Sequence, residues 1–149
     1  MTLQPTPIWR TTPTLEQLNR AHPDTLVELL GIEFTAIGPD SIEGCMPVDA
    51  RTRQPFGILH GGASVALAET LGSVGASLTI DLTQSLVVGQ EINANHLRSV
   101  REGQVFGLAR PLHLGGRSQV WSIEIRDDQR RLVCVSRLTL AVIDRKRPA

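Results

Sequence analysis

Residues 61–80, GGASVALAETLGSVGASLTI, are the segment that most restricts how this chain can fold. Nearly every residue is small or apolar over a length that one long helix would occupy. A helix of about 18 residues is about 27 Å long, and a helix that is apolar all round has to be buried all round. The chain has 149 residues, which suits one domain. We therefore expect a central helix wrapped by a sheet.

The same segment is not predicted to span a membrane. It contains four glycines, several hydroxyl side chains and a glutamate near its middle, Glu69, and this composition is unfavourable in the core of a bilayer. The start of the chain shows no basic stretch followed by an apolar one, so we predict no signal peptide. Two cysteines are too few for a disulfide framework. These features predict a cytoplasmic protein with no membrane partner.

Charge and aromatic content argue against a nucleic-acid partner. Fifteen basic residues balance fifteen acidic ones, so no overall field attracts a polyanion. Three Phe, two Trp and no Tyr leave few surfaces on which bases could stack. His60, His96 and His113 are too widely spaced in the sequence to indicate a metal site, so we predict no metal.

The rest of the chain supplies short helices and a sheet. Residues 1–13 hold three prolines and are predicted to form a loose arm. Thr14 and Gln17 form a capping-box pattern that begins a helix. Asp24 is predicted to cap a second short helix that ends at Gly31. Strands are predicted at 32–37, 41–48, 86–98, 103–113, 117–127 and 131–143.

The strand pattern defines the fold class. Residues 127–130 are predicted to form a hairpin turn, and the last strand is apolar on both faces, so it should lie in the interior of the sheet. We find no internal repeat and no linker between domains. The sequence therefore predicts an α+β domain over 14–143, with an N-terminal arm at 1–13 and a C-terminal tail at 144–149.

Glu69 is the strongest candidate for chemistry. It is the only charged residue between His60 and Ile80. A buried carboxylate without a partner is costly, and the usual response is a raised pKa or a specific contact. Ser73 follows one helical turn later and can hydrogen-bond to it. The pattern fits either a hydrated stripe on the helix or a group that lines a site.

The start of the same helix is a second candidate. His60-Gly61-Gly62 precedes the apolar run, and a helix N-terminus offers free N–H groups that suit an oxyanion or a polarised carbonyl. An ordinary glycine-rich helix entry would look the same. Arginines near strand ends can bind phosphates or simply be solvated.

Several motifs together resemble the hotdog-fold acyl-CoA thioesterases. The group resembled is the one that uses a glutamate on the central helix and includes 4-hydroxybenzoyl-CoA and 1,4-dihydroxy-2-naphthoyl-CoA thioesterases. The resemblance runs from about residue 14 to 143 and implies a hotdog fold, a long helix wrapped by an antiparallel sheet. The motifs lie at 46–49, 53–64, 67–73, 89–96, 98–103, 111–115 and 136–139.

The resemblance also implies roles for particular residues. Glu69 would attack the thioester carbonyl or activate water as a general base, and Ser73 would assist it. The Gly61 N–H would polarise the thioester oxygen, His60 would support the loop, and Gln54 would place the carbonyl or the water. The candidates for binding the CoA portion are His96, Arg98, Arg117, Ser136 and Arg137.

The implied protein is a homodimer with shared active sites, and such dimers commonly pair into homotetramers. Gln54, His60 and Gly61 would face Glu69 and Ser73 of the other subunit. The substrate would be an aromatic or medium-chain acyl-CoA, with no separate cofactor because coenzyme A is part of the substrate. The alternative is a non-catalytic hotdog protein that binds acyl-CoA. The expected apolar pocket walls are Phe56, Leu59, Val65 and Leu86.

Overall fold

One long helix packed on a six-stranded antiparallel sheet forms the centre of the fold. The computed structural model describes residues 6–20 and 23–145, so Ala21, His22, the first part of the predicted arm and most of the predicted tail lie outside the described residues. The strand order is β1-β2-β4-β5-β6-β3. The elements are α1 (Leu15–Arg20), α2 (Leu26–Leu30), β1 (Glu33–Ile37), β2 (Ile42–Pro47), α3 (Gly61–Leu78), β3 (Ser85–His96), β4 (Gln104–Leu114), β5 (Ser118–Asp127) and β6 (Leu132–Asp144).

This architecture confirms the predicted α+β class and the interior position of the last strand. Strand β6 lies between β5 and β3. The core forms where one side of α3 meets the inner face of the sheet, since alternate strand residues point to one face. In the part of the chain that the structure describes, no helix is both long and apolar enough to cross a membrane. The largest fully buried core side chains include Leu67, Leu71, Trp121, Ile123, Ile125, Leu138 and Leu140.

The prediction that α3 is buried all round is wrong for the single chain. The sheet covers one side of the helix, and the opposite side is only partly buried. The small residues of α3 made this side look apolar in the sequence, although it carries hydroxyl groups and a carboxylate. The partly buried positions are Val65, Ala66, Glu69, Thr70, Ser73, Val74 and Ser77.

Strand β3 lies at the edge of the sheet beside this half-covered side of the helix. It pairs with β6 on one side, and the register shifts between Gly89 and Glu91. Gly89 lies opposite Leu140 and Glu91 opposite Thr139, so one extra residue, Gln90, is accommodated in β3 as a β-bulge. The strand is 12 residues long and mostly exposed. A long bare edge of this kind is a surface to which another strand can add.

The N-terminal arm is docked rather than loose over residues 8–10. The N–H of Ile8 donates to Pro39 O at 3.0 Å and the N–H of Arg10 donates to Leu78 O at 2.8 Å. The indole of Trp9 stacks on Trp121 with ring centroids 6.2 Å apart. The arm therefore lies over the carboxyl-terminal end of α3, held by aromatic packing that its proline content did not reveal.

The short helices agree with prediction except at one cap. Gln17 N–H donates to Thr14 Oγ1 and Thr14 N–H to Gln17 Oε1, which confirms the capping box. Helix α2 ends at Gly31 in the left-handed conformation, as predicted. Its N-cap is Thr25, and the prediction of Asp24 as the cap is wrong. Asp24 has a φ of 59° and donates its own N–H to Glu28, so it forms the turn before the helix.

Candidate active site

The start of α3 presents an unused backbone donor. His60 is the N-cap, and its Nδ1 accepts the N–H of Gly62 at 2.8 Å. The N–H groups of Ala63 and Ser64 donate to His60 O. Within residues 6–20 and 23–145, the N–H of Gly61 has no acceptor. A free N–H at the positive end of an 18-residue helix is suited to bind a carbonyl oxygen that gains negative charge.

The loop before α3 fixes Gln54 next to this donor. Gln54 N–H donates to Ile58 O at 2.9 Å, and His60 N–H donates to Thr52 O at 2.8 Å. The side-chain oxygen of Gln54 accepts the N–H of Phe56. The amide NH₂ of Gln54 has no acceptor among the described residues, so it is available to donate to a ligand. Gln54 is therefore arranged as a second hydrogen-bond donor.

His96 and Gly61 share one wall of a cleft at the end of β3. The cleft has a volume of about 370 Å³. A Cβ added at Gly61 would lie 2.8 Å from His96 Nε2, so the absence of a side chain lets the imidazole lie against the helix start. The lining residues include Gln54, Leu59, Gly61, Ser64, His96 and Arg98. The hydrogen-bond donors of Gln54 and Gly61 and the guanidinium of Arg98 thus line the same cleft.

Glu69 lies outside this cleft, farther along the same helix. Its half-buried carboxylate lies against Gly89 of β3. Desolvation raises the pKa of Glu69, and the Ser73 hydroxyl, which donates to Oε1 at 3.4 Å, lowers it in part. The sheet residue opposite Gly89 is Leu140, which is apolar. Glu69 is therefore a partly dehydrated carboxylate whose only described hydrogen-bond donor is a serine.

One chain does not bring the two halves together. Glu69 is eight residues beyond Gly61 on α3, which corresponds to about 12 Å along the axis at 1.5 Å per residue. Gln54, His60, Gly61, His96 and Arg98 meet near the helix start, whereas Glu69 and Ser73 lie at mid-helix. A carbon atom that contacts both groups therefore needs the second half of the site from elsewhere.

The remaining candidates for binding CoA are dispersed. Arg117 lies in the turn before β5 and Arg137 is exposed on the sheet face opposite α3. Ser136 faces the other way: it is 2% exposed, and its Oγ lies 3.7 Å from Cys134 Sγ. Since neighbouring strand residues point to opposite faces, Ser136 and Arg137 cannot contact the same phosphate. Of the arginines predicted for CoA, only Arg98 lines the cleft.

Most of the residues expected to form the apolar walls of the pocket lie outside this cleft. Of the expected pocket walls, only Leu59 lines the cleft; Phe56 is 86% exposed, and Leu86 pairs with Ile143 on the outer face.

Sequence reasoning missed Gly89, which lies against Glu69. Its position inside a strand was the available signal, because such a glycine often marks a bulge or a close approach. A larger cleft of about 640 Å³ lies near Phe106, away from both halves of the site.

Comparison with known proteins identifies the family. The model of the Thioesterase superfamily matches residues 56–134, which include α3 with Gly61 and Glu69. The chain is 57% identical over 136 residues to 1,4-dihydroxy-2-naphthoyl-CoA hydrolase of Escherichia coli (strain K12), covering 91% of this chain and 99% of the relative. It is also 57% identical to the proofreading thioesterase EntH of Cronobacter turicensis, covering 91% and 98% of the two chains.

Solved structures agree with this relationship. A thioesterase from Haemophilus influenzae superposes with a TM-score of 0.89 at 55% identity, covering 92% of this chain and 95% of that chain. A variant of a thioesterase from Pseudomonas aeruginosa superposes with a TM-score of 0.91 at 49% identity, covering 93% and 99%. The long helix on an antiparallel sheet is thus the hotdog fold that the family resemblance implied, and the chain belongs to the thioesterase superfamily.

Proposed function

We propose that this thioesterase hydrolyses acyl-CoA thioesters with Glu69 as its catalytic carboxylate. The observation that carries the proposal is a desolvated glutamate that has no cationic partner among the described residues, on a helix whose first N–H has no acceptor among them. Acyl-CoA is the substrate class because relatives at 57% identity bear names of a CoA-thioester hydrolase and a thioesterase. An aromatic acyl group fits the name of the first of these relatives.

The proposed chemistry uses donors on one side of the carbonyl and the carboxylate on the other. Gly61 N–H and the Gln54 amide bind the thioester oxygen and stabilise the negative charge that develops there. Glu69 either attacks the carbonyl carbon, giving an anhydride that water then hydrolyses, or removes a proton from the attacking water. In both routes the C–S bond breaks, CoA leaves as the thiolate and takes up a proton, and the acid is released.

We propose that the complete site forms between two chains. The bare edge of β3 and the half-covered side of α3 lie next to each other, so pairing of two β3 edges would continue the sheet and cover both helices. One subunit would supply Gln54, His60 and Gly61, and the other would supply Glu69 and Ser73. The separation of about 12 Å between Gly61 and Glu69 in one chain supports this arrangement.

Two further proposals concern assembly and location. Exposed Leu86, Val88 and Ile143 lie on the outer face of the sheet and provide an apolar surface through which dimers can pair into tetramers. We place the enzyme in the cytoplasm because Cys45 and Cys134 are both free and buried, which suits a reducing compartment. Sedimentation velocity measures the assembly directly.

Mixed dimers are expected to be more active than either of two impaired variants alone. Glu69→Ala removes one half of the site and Gln54→Ala weakens the other, so each variant dimer has two damaged sites. Random exchange of subunits makes about half of the dimers mixed, and each mixed dimer has one intact site, so activity should reach about a quarter of wild type. The measurement is thiol release after partial unfolding and joint refolding. Activity no higher than the mean of the two variants alone would place each site within one chain.

The pH profile should follow the desolvated Glu69. We expect the acidic limb of kcat/KM above the usual range of a glutamate because burial raises the pKa of Glu69. The Ser73 hydroxyl favours the charged carboxylate, so Ser73→Ala should move this limb to higher pH. Ser77→Ala is the matched control, since Ser77 Oγ donates to the backbone oxygen of Ser73. A shift of the limb to lower pH in Ser73→Ala would contradict this assignment.

Thiol release is the direct test of the activity. Free CoA is followed with a thiol-reactive dye during incubation with benzoyl-, 1,4-dihydroxy-2-naphthoyl- and hexanoyl-CoA. We expect turnover, fastest with an aromatic substrate. Binding of these compounds without any turnover would instead identify a non-catalytic acyl-CoA-binding protein and overturn the proposal.

A further inference from the structure

The carboxylate of Glu69 occupies space that only a glycine in β3 leaves open. A Cβ added at Gly89 would overlap Glu69 Oε1 and lie 3.3 Å from its Cδ. Ordinary van der Waals contact of such atoms begins above this range. Any side chain at position 89 therefore has to displace the end of the Glu69 side chain.

The bulge that follows Gly89 determines which residues of β3 face α3, where the Glu69 carboxylate lies. Leu138 and Leu140 are fully buried on the inner face of β6, and Gly89 and Ile92 lie opposite them. Glu91 lies opposite Thr139 and accepts a hydrogen bond from Asn93 at 3.1 Å, so it faces away from α3. If Gln90 were paired regularly with β6 instead of bulging out, alternation after Gly89 would turn Glu91 towards the helix.

A second carboxylate on that face would repel Glu69, because like charges at short distance disfavour the charged form. The bulge also places His96 on the inner face, opposite Cys134 and against Gly61. The bulge in β3 thus influences two places: the surroundings of the Glu69 carboxylate at mid-helix and the wall of the cleft at the helix start. Bulges next to active sites commonly re-aim side chains in this way.

We propose that Gly89, together with the bulge at 89–91, is a positioning residue that holds the Glu69 carboxylate at its catalytic location. This inference rests on the proposed role of Glu69 in hydrolysis. Gly89 itself contributes no reacting group; it acts by leaving a space into which the carboxylate fits. The donors at Gly61 and Gln54 lie at the start of α3 and do not depend on Gly89.

Gly89→Ala tests the inference with the fold retained, because the atom that must move is the end of a flexible side chain. The carboxylate is expected to shift by about 1 Å, which lowers kcat about 100-fold. KM should change less than about threefold, since the cleft at Gly61 is not altered. Gly116→Ala is the matched control: no atom lies within 4 Å of a Cβ added there, so its kcat should equal that of wild type.

A second readout does not depend on activity. Carbon-13 NMR of labelled glutamate side chains, assigned with Glu69→Gln, gives the pKa of Glu69 in each variant. Displacement from the desolvated position towards solvent should lower this pKa in Gly89→Ala and leave it unchanged in Gly116→Ala. Wild-type values of both kcat and this pKa in Gly89→Ala would overturn the positioning role. Full activity of Glu69→Ala would overturn the proposed function instead, and the NMR titration would still report whether Gly89 places the carboxylate.

Discussion

Replacing Glu69 by alanine is expected to lower kcat for acyl-CoA hydrolysis by at least about 10³-fold, within the range that positioned acid–base or nucleophilic groups supply. No other charged residue lies on α3, and Glu91 of the adjacent strand faces away. Among the described residues of α3 and β3, no other carboxylate is therefore placed to substitute for Glu69. KM should change little, because Glu69 is not among the residues that line the cleft of Gly61, His96 and Arg98, where the CoA portion is proposed to bind. Thiol release on the best substrate provides the measurement.

Two control variants make the result specific. Glu69→Gln retains the shape without the charge and should lose as much activity as Glu69→Ala, whereas Glu91→Gln should retain wild-type activity because its side chain is on the outer face. Activity in Glu69→Ala equal to that of wild type would show that another group performs the chemistry.

Glu69→Gln should also be more stable than wild type near neutral pH. The pKa of Glu69 is raised in the folded chain, so the wild-type side chain favours folding when it is protonated. That contribution is present below the unfolded-state pKa and is lost as pH rises through the folded-state pKa. The melting temperatures should therefore differ at pH 7 and converge in acid.

Replacing Gly61 by proline is expected to have the second largest effect, about 100-fold or more in kcat relative to Gly61→Ala. Proline lacks the N–H that, in the described part of the chain, has no acceptor at the start of α3, and loss of one such donor costs about 10²–10³-fold. The helix should tolerate the change because proline suits the first helical position. His60 has a φ of −69° and a ψ of 130°, which suits a residue before proline.

Gly61→Ala is the reference that isolates the N–H. Alanine and proline each add a Cβ at position 61, which would lie 2.8 Å from His96 Nε2 if the imidazole did not move. Alanine, however, retains the N–H donor. Circular dichroism should show equal helix content in the two variants. Equal kcat values for Gly61→Ala and Gly61→Pro would assign the polarisation of the carbonyl to Gln54 alone.

The fold was largely predictable because strong periodic signals determine it. The apolar run at 61–80 predicted α3, and the strand bounds agree within two residues. Local rules also predicted the capping box at Thr14 and the end of α2 at Gly31. Such features depend on neighbours in sequence, which is why a single sequence reveals them.

The arrangement of the site was less predictable because it depends on register. The bulge after Gly89 reverses which β3 residues face the helix, and no alternation count can show where the period changes. The placement of Ser136 under the helix and of Arg137 outside it depends on the same face assignment. The docking of Trp9 is a contact across 112 residues of sequence, which local propensity does not contain. The roles of Glu69 and Gly61 came from the family resemblance, and they stay predictions.

The stacked indoles have a spectroscopic consequence. Trp9 and Trp121 are the only tryptophans, and tyrosine is absent, so nearly all near-ultraviolet absorption and emission come from one stacked pair. Trp121 contacts α3 at Gly75, about 21 Å along the helix from Gly61. Intrinsic fluorescence is therefore a built-in reporter of whether the arm is docked at the end of α3 that lies away from Gly61.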